Sequence, residues 1–283
     1  MATLNLWCDA EERRERRERH RVAGRLLAGL DVDVVLVQEV PTGPVADTLD
    51  VLAATSGLSV ASISPETGGN RNAVLTRLCF EESPSIRYTV PESPWDLFAA
   101  TSMLTTSSGR HLLVVSAHLA WGGLLEHRRL LQASALDAAV SRLLGDPNAP
   151  AVMGGDLNTT PESATVRHLT GLEAFEGRSA QWTDAFAVAG LGSGVSSTGA
   201  NRWARRTAAK HGFLDPAAIP DRRIDFLLVR GYAYGRPFAP VRCFSVGPAL
   251  LPSVLPDAPF PPSDHDPVVA DLWDPLPGGD DAA

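Results

Sequence analysis

Lysine is almost absent from this sequence: of its 25 basic residues, all but Lys210 are arginine. A bias of that kind reflects genomic base composition more readily than function. Positive charge is not in excess either. The formal net charge is −8, which argues against a dedicated binder of long duplex nucleic acid, because such proteins carry a strongly basic face. A nuclease with a local basic strip passes that test. Cysteine is scarce as well. Cys8, Cys79 and Cys243 are odd in number, far apart and form no Cys-x-x-Cys pair, so neither a disulfide framework nor a zinc site is expected and a reducing cytoplasm fits. No apolar run is long enough to span a bilayer. The opening "MATLNLWCDA" lacks the basic segment and apolar stretch of a signal peptide. The expectation is a cytoplasmic protein with no membrane span, and no feature implies a protein partner.

What is present is ordinary for a folded enzyme-sized chain. Its 283 residues are 44% apolar and 20% charged, enough for a full core. There is no internal repeat. Residues 1–273 read as one domain and 274–283 as a disordered tail, on the strength of "PLPGGDDAA".

The run "EERRERRERHR" at 11–21 holds six arginines and four glutamates. Glu12/Arg16 and Glu15/Arg19 fall at i, i+4 spacing, which predicts a solvated helix face rather than a nucleic-acid patch. Val22, Leu26 and Leu30 extend the same helix with an inward stripe. Next, "DVDVVLVQEV" reads as a buried strand ending in Gln38–Glu39. Further strands read as "ATLNLW" carrying Asn5, "HLLVVSAHLAW" ending at His118, and "APAVMGGDLNTTPES" ending at Asp156 and Asn158. "RRIDFLLV" carries Asp225 near its start, and "DPVVADL" follows Ser263-Asp264-His265. A helix is expected over "EHRRLLQASALDAAVSRLLG", with Ala133, Leu136, Val140 and Leu143 on one face and Gly145 as its stop. The stretches 98–118 and 223–246 look antiparallel. The sum is two mixed sheets packed together with helices outside.

Polar residues at strand ends are where α/β folds build sites. Asp156 and Asn158, two apart, project to the same side of an extended backbone. Asp225 sits between Ile224 and Phe226, a costly place for a carboxylate without a partner, and a histidine in need of orientation would supply one.

Asn5, Gln38-Glu39, "RNAVLTR" (71–77), "SAHL" (116–119), "GGDLNTTP" (154–161), "RRIDFLLV" and "SDHDPV" (263–268) occur in that order. Together they resemble the endonuclease/exonuclease/phosphatase superfamily over residues 3–272. The resemblance implies a four-layered α/β sandwich and hydrolysis of phosphoric esters with magnesium or manganese. It implies metal ligation by Glu39, Asn5 and Asp264, and His265 as general base oriented by Asp225. Asp156 and Asn158 would position water and phosphate, and His118 would donate to a phosphoryl or leaving oxygen. Asn72 is a candidate phosphate contact, while Asp266 reads as structural. Departures narrow the group. Trp7 stands where apurinic/apyrimidinic endonucleases place an aspartate, and His118 resembles deoxyribonucleases, sphingomyelinases and related phosphatases.

Residues 201–230 hold seven basic and three acidic residues. Arg202, Arg205 and Arg206, with Lys210, would form a basic rim for substrate, with Trp203 available to stack on a base. The Pro-rich 248–262 segment would shape the opposite rim. The preferred reading is a metal-dependent phosphodiesterase, in particular a nuclease, whose partner is a phosphoester substrate such as nucleic acid. The alternatives are a phosphatase or phosphodiesterase for a small metabolite or lipid headgroup, or a catalytically silent binding module.

Overall fold

The structure is a computed structural model and describes residues 1–8, 13–42, 48–91, 93–94, 96–146, 148–212, 215, 218–231 and 237–275. Among the described residues, thirteen strands form two sheets. The first contains β1 (Ala2–Asn5), β2 (Val34–Pro41), β3 (Ser59–Ile63), β4 (Asn70–Thr76), β12 (Pro240–Ser245) and β13 (Val268–Leu272), in the order β12-β13-β1-β2-β4-β3. The second contains β5 (Cys79–Glu82), β7 (Phe98–Thr105), β8 (His111–His118), β9 (Ala151–Asp156), β10 (Thr183–Asp184) and β11 (Asp225–Arg230), in the order β10-β11-β9-β8-β7-β5. Strand β6 (Ile86–Arg87) pairs with β7.

Strand alternation builds the layers. In β2, Val34 and Leu36 enter the core between the sheets with Val114, Val152, Leu227 and Val268. Val35 and Val37 face the other way, onto Val22, Leu26 and Leu52. These belong to the helices α1 (Arg13–Gly29) and α2 (Thr48–Ser56). In β8, Val114 faces inward while Leu113 and Val115 meet Ala133, Leu136 and Val140 of α3 (Glu126–Leu144). A strand buried on both faces reads as an unbroken apolar run, which is why "VVLV" and "HLLVV" were readable. Gly145 ends α3 in the left-handed conformation at φ 70°, as glycine at that position does. Gly155 is required by close approach: a Cβ there would lie 1.8 Å from the Ala117 carbonyl oxygen of neighbouring β8. No helix among the described residues is long and apolar enough to cross a membrane.

Three expectations need correction. The 98–118 stretch is an antiparallel pair, β7 with β8, but 223–246 is not a hairpin. Its strands β11 and β12 belong to different sheets. The basic face of α1 is not simply solvated. Arg16 and Arg19 are buried, Arg19 to 2% exposure, while Glu15 pairs with Arg206 rather than Arg19; Glu12 lies outside the described residues. Arg19 donates to the carbonyls of Leu6, Trp7 and Pro262, and its guanidinium stacks 4.5 Å over the Trp7 ring. Carbonyls just past a strand end lack ladder partners, and the planar fork of arginine satisfies several at once. Finally, Asp274, assigned to the tail by composition, accepts hydrogen bonds from Ser108 and Arg110. Residues 276–283 lie outside the described ones.

Candidate active site

The polar residues at the strand ends converge where the two sheets meet. Asn5 ends β1 and, through Nδ2, donates to Glu39 Oε1 (3.0 Å) and Asp156 Oδ2 (3.1 Å). It thereby ties the first sheet to the second. Glu39 reaches that position through a break in register between Val37 and Val40, and has φ 54°. An extra residue in a strand re-aims a side chain. The bulge sends Gln38 to Ser116 in the sheet interface and Glu39 to Asn5 and the Cys8 amide. Asn158, also at positive φ (53°), donates from its backbone amide to Asp156 Oδ1 at 2.8 Å. Its Nδ2 donates to the Leu119 carbonyl at 3.1 Å and lies 3.0 Å from His118 Nε2.

At the other side of the cluster, His265 Nδ1 is 2.8 Å from Asp225 Oδ2, and its Nε2 is 3.8 Å from Asp156 Oδ2. Asp225 opens β11 directly opposite Asp156 in the ladder. Its Oδ1 is buried and has no hydrogen-bond partner among the described residues. The "SDHD" loop is held by Asn201, which donates to the Ser263 carbonyl and Asp266 Oδ1. Asn201 also caps α6 (Arg202–Lys210), accepting from the Trp203 amide. From α6, Thr207 donates to Asp264 Oδ2 at 2.9 Å.

Charge in the cluster is unevenly held. Burial works against ionising Asp156, but His265 and His118 outweigh it and hold its pKa down at about 2. Burial likewise opposes the charged forms of the two imidazoles. Asp225 and Asp156 nevertheless hold His265 well above the ordinary histidine value, and Asp156 and Glu39 raise His118. Burial pushes Asp264 up to about 6 and Asp266 up to about 7. Burial also pushes the Cys8 thiol up to about 12, which leaves it inert beside Glu39.

These shifts fix a pH dependence of stability when divalent ions are absent. Asp264 and Asp266 are neutral in both states below about pH 4. Above that the unfolded chain ionises first, so folding becomes less favourable until the folded values near 6 and 7 are passed. His265, with a raised value, contributes stability below about pH 6.5 that is lost as the pH climbs through its folded value. Asp156 and Glu39 have lowered values, so their contribution falls away only on the acid side. The melting temperature in chelator is therefore expected to fall from pH 5 to pH 8, followed by circular dichroism. A rise over that range would contradict this account of the cluster.

The structure brings Asn5, Glu39, His118, Asp156, Asn158, Asp225, Asp264 and His265 to one place. It does not do so for the basic rim. Arg206 pairs with Glu15 at 3.1 Å, Arg205 donates to the Gly199 carbonyl, and Arg202 lies 4.0 Å over the Trp203 ring. Trp203 is 3% exposed and donates to the Pro261 carbonyl, so it is core and not a stacking platform. The Pro-rich segment packs on that same tryptophan through Phe260, beside α6 and not opposite it. Asn72 donates to the Phe98 carbonyl at 2.7 Å, and its Oδ1 is buried with no partner among the described residues. Sequence reasoning missed Tyr88, whose hydroxyl donates to the His118 carbonyl at 2.6 Å, as well as Thr207, Arg19 and Ser196, whose hydroxyl accepts from the Ile224 and Asp225 amides.

The family model of the endonuclease/exonuclease/phosphatase family matches residues 2–265. The chain belongs to that family. Solved members and relatives share its fold across nearly the whole length. An endonuclease/exonuclease/phosphatase from Bacteroides vulgatus is 20% identical with a TM-score of 0.67, covering 96% of this chain and 97% of its own. D. rerio TDP2 complexed with single strand DNA product is 20% identical with a TM-score of 0.68, covering 96% and 97%. The mannosyl-6-phosphatase Bt3783 of Bacteroides thetaiotaomicron is 16% identical with a TM-score of 0.67, covering 96% and 98%. No curated protein matches the sequence. At these identities the family's nuclease and phosphatase members establish the fold.

Proposed function

We propose that this chain is a divalent-metal-dependent hydrolase of phosphoric esters in which His265 activates water. The observation that carries this reading is the Asp225–His265 pair at 2.8 Å, with Nε2 left facing the Asp156 side of the cluster. A base that takes a proton from water needs one imidazole nitrogen fixed and the other free of a proton; a bound cation would offset the carboxylates that otherwise raise His265 and so free Nε2. Asp225 accepts from Nδ1–H and stabilises the imidazolium once Nε2 has taken the proton. Asp156 and Asn158 orient water and phosphate, and His118 donates to a phosphoryl or leaving oxygen.

The cluster suits a cation. Four carboxylates, Glu39, Asp156, Asp225 and Asp264, stand against two imidazoles, and burial has pushed Asp264 up to about 6. The oxygen donors Glu39, Asn5 and Asp264 favour a hard ion such as magnesium or manganese. Ligand atoms of Asp156, Asp225 and His265 also lie within 4.8 Å of one another. Ligation through His265 Nε2 would remove the base, so the Glu39 side is the better holder. A bound cation would offset the charge developing on the phosphoryl oxygens.

Substrate size is favoured on the small side. A strip for nucleic acid needs cations free to meet phosphates, whereas Arg205 and Arg206 are engaged within the fold. A relative of the same fold is named as a mannosyl-6-phosphatase, which supports this side. The test is hydrolysis of p-nitrophenyl phosphate, bis-p-nitrophenyl phosphate, plasmid DNA and RNA with and without chelator. Activity is expected to vanish in chelator and return with magnesium or manganese. Full activity in chelator, or rescue by zinc alone, would overturn the metal assignment.

A further inference from the structure

The two halves of the Asp225–His265 pair come from different sheets. Asp225 opens β11 of the second, and His265 lies in the loop before β13 of the first. The segment leading into α6 meets both halves through one residue, Ser196, which is fully buried (0% exposed). Its hydroxyl accepts from the amides of Ile224 and Asp225, each at 3.1 Å. Its carbonyl accepts from the amide of Asp266, the residue after His265, at 2.8 Å. The serine is itself held in place. The Ser196 and Ser197 amides donate to the Arg222 carbonyl at 2.9 and 3.0 Å, and the Arg222 amide donates to the Ser197 carbonyl at 2.9 Å. The steps above do not use this serine.

A hydroxyl carries one proton and two acceptor lone pairs. The two amides take both lone pairs of Ser196, so its proton needs an acceptor elsewhere. Asp225 has one to offer. Oδ2 is held by His265 Nδ1, whereas Oδ1 is buried with no hydrogen-bond partner among the described residues, a costly state for a carboxylate oxygen. Burial pushes the Asp225 carboxyl above its ordinary value, and the Ser196 hydroxyl is among the groups, after His265, that act against that push. We propose that Ser196 is a positioning residue that joins the dyad across the two sheets, its hydroxyl proton directed to Asp225 Oδ1 and its carbonyl holding the loop of His265. This rests on the reading of His265 as the base. A carboxylate held at one oxygen can still turn about its Cβ–Cγ bond and lose the imidazole. Held at both, it keeps Nδ1 fixed and the other ring nitrogen aimed at the cluster.

The experiment measures kcat and KM for p-nitrophenyl phosphate and bis-p-nitrophenyl phosphate at saturating magnesium, well below the melting temperature. It compares wild type, Ser196→Ala and Thr198→Val, each with and without Asp225→Asn. Thr198 lies in the same segment, but its hydroxyl bonds to Asp221. Ser196→Ala is expected to lower kcat about 10–100-fold, the scale of one lost hydrogen bond to a charged group, and to leave KM nearly unchanged. Thr198→Val should keep both constants near wild type. In the Asp225→Asn background Ser196→Ala should add little, because residues acting as one unit are non-additive. Wild-type kcat in Ser196→Ala, a loss that multiplies fully with Asp225→Asn, or an equal loss in Thr198→Val would overturn the proposal. If Ser196→Ala does not fold, Ser196→Cys replaces it with the same expectation, since a thiol keeps the shape but is a weak donor and acceptor. If wild type hydrolyses neither ester, the kinetics speak only to the phosphoesterase reading, and proton NMR decides the positioning role. The Nδ1–H signal of His265, identified by its loss in His265→Ala, should be lost to exchange with water in Ser196→Ala and kept in Thr198→Val. An unchanged signal in Ser196→Ala would overturn the proposal.

Discussion

His265→Ala is expected to lower turnover by about 10²–10⁴, the range that loss of a general base gives. Metal affinity should barely change, because the imidazole is held by Asp225 Oδ2 at 2.8 Å and not assigned to the cation. Asp225→Asn should also be severely impaired. The amide either presents its NH₂ to Nδ1, which forces the other tautomer, or accepts without stabilising the imidazolium. Two residues that act as one unit are strongly non-additive, so the double variant should be little slower than the worse single one. The measurement is a double-mutant cycle on turnover at saturating magnesium, with folding verified by circular dichroism. Losses that multiply fully would show two independent residues, and the dyad would be wrong.

Arg19→Met is the substitution expected to cost most in stability. Methionine keeps much of the apolar stem but strands the carbonyls of Leu6, Trp7 and Pro262 in a buried setting. Leaving buried acceptors unmet costs about 1–3 kcal/mol each before relaxation, so a net loss of about 3 kcal/mol is expected. Arg19→Lys should recover only part, because an ammonium lacks the planar fork. These carbonyls flank Asn5 on one side and Asp264 on the other. Turnover measured well below the melting temperature should therefore fall as well. Denaturant unfolding supplies the first number. A variant as stable as wild type would show that the guanidinium is not what joins the two loops.

Arg19 also marks where sequence reading stops. Strand ends were legible because both faces of β2, β8, β9 and β11 are buried, which leaves an apolar run terminated by the polar residue that matters. The partnership of Asp225 with a histidine was legible from the cost of an unpaired carboxylate in an apolar strand. The burial of Arg19 was not, since i, i+4 glutamates make the same pattern on a solvated face; the partners that bury it are backbone carbonyls, which have no letter in the sequence. The aim of Glu39 depends on a bulge that "VQEV" does not announce. The basic rim failed for a related reason. Counting arginines at 202, 205 and 206 cannot reveal that Glu15, distant in sequence, pairs with one of them and that Trp203 turns inward.

The junction of the two sheets has a consequence for how the protein comes to be active. Asn5 and Glu39 arrive on one sheet and His118, Asp156 and Asp225 on the other, joined by the Asn5–Asp156 contact at 3.1 Å. Neither sheet alone holds the set. Within the first sheet, β13 must travel from the far end of the chain to pair with β1, a contact of high sequence separation that forms slowly because loop closure is costly. On the proposed function, a complete site therefore requires the pairing of β13 with β1, because Asp264 and His265 lie just before β13. By the same reasoning, a chain whose other helices and strands have formed still lacks a complete cluster until residues 263–272 have joined β1.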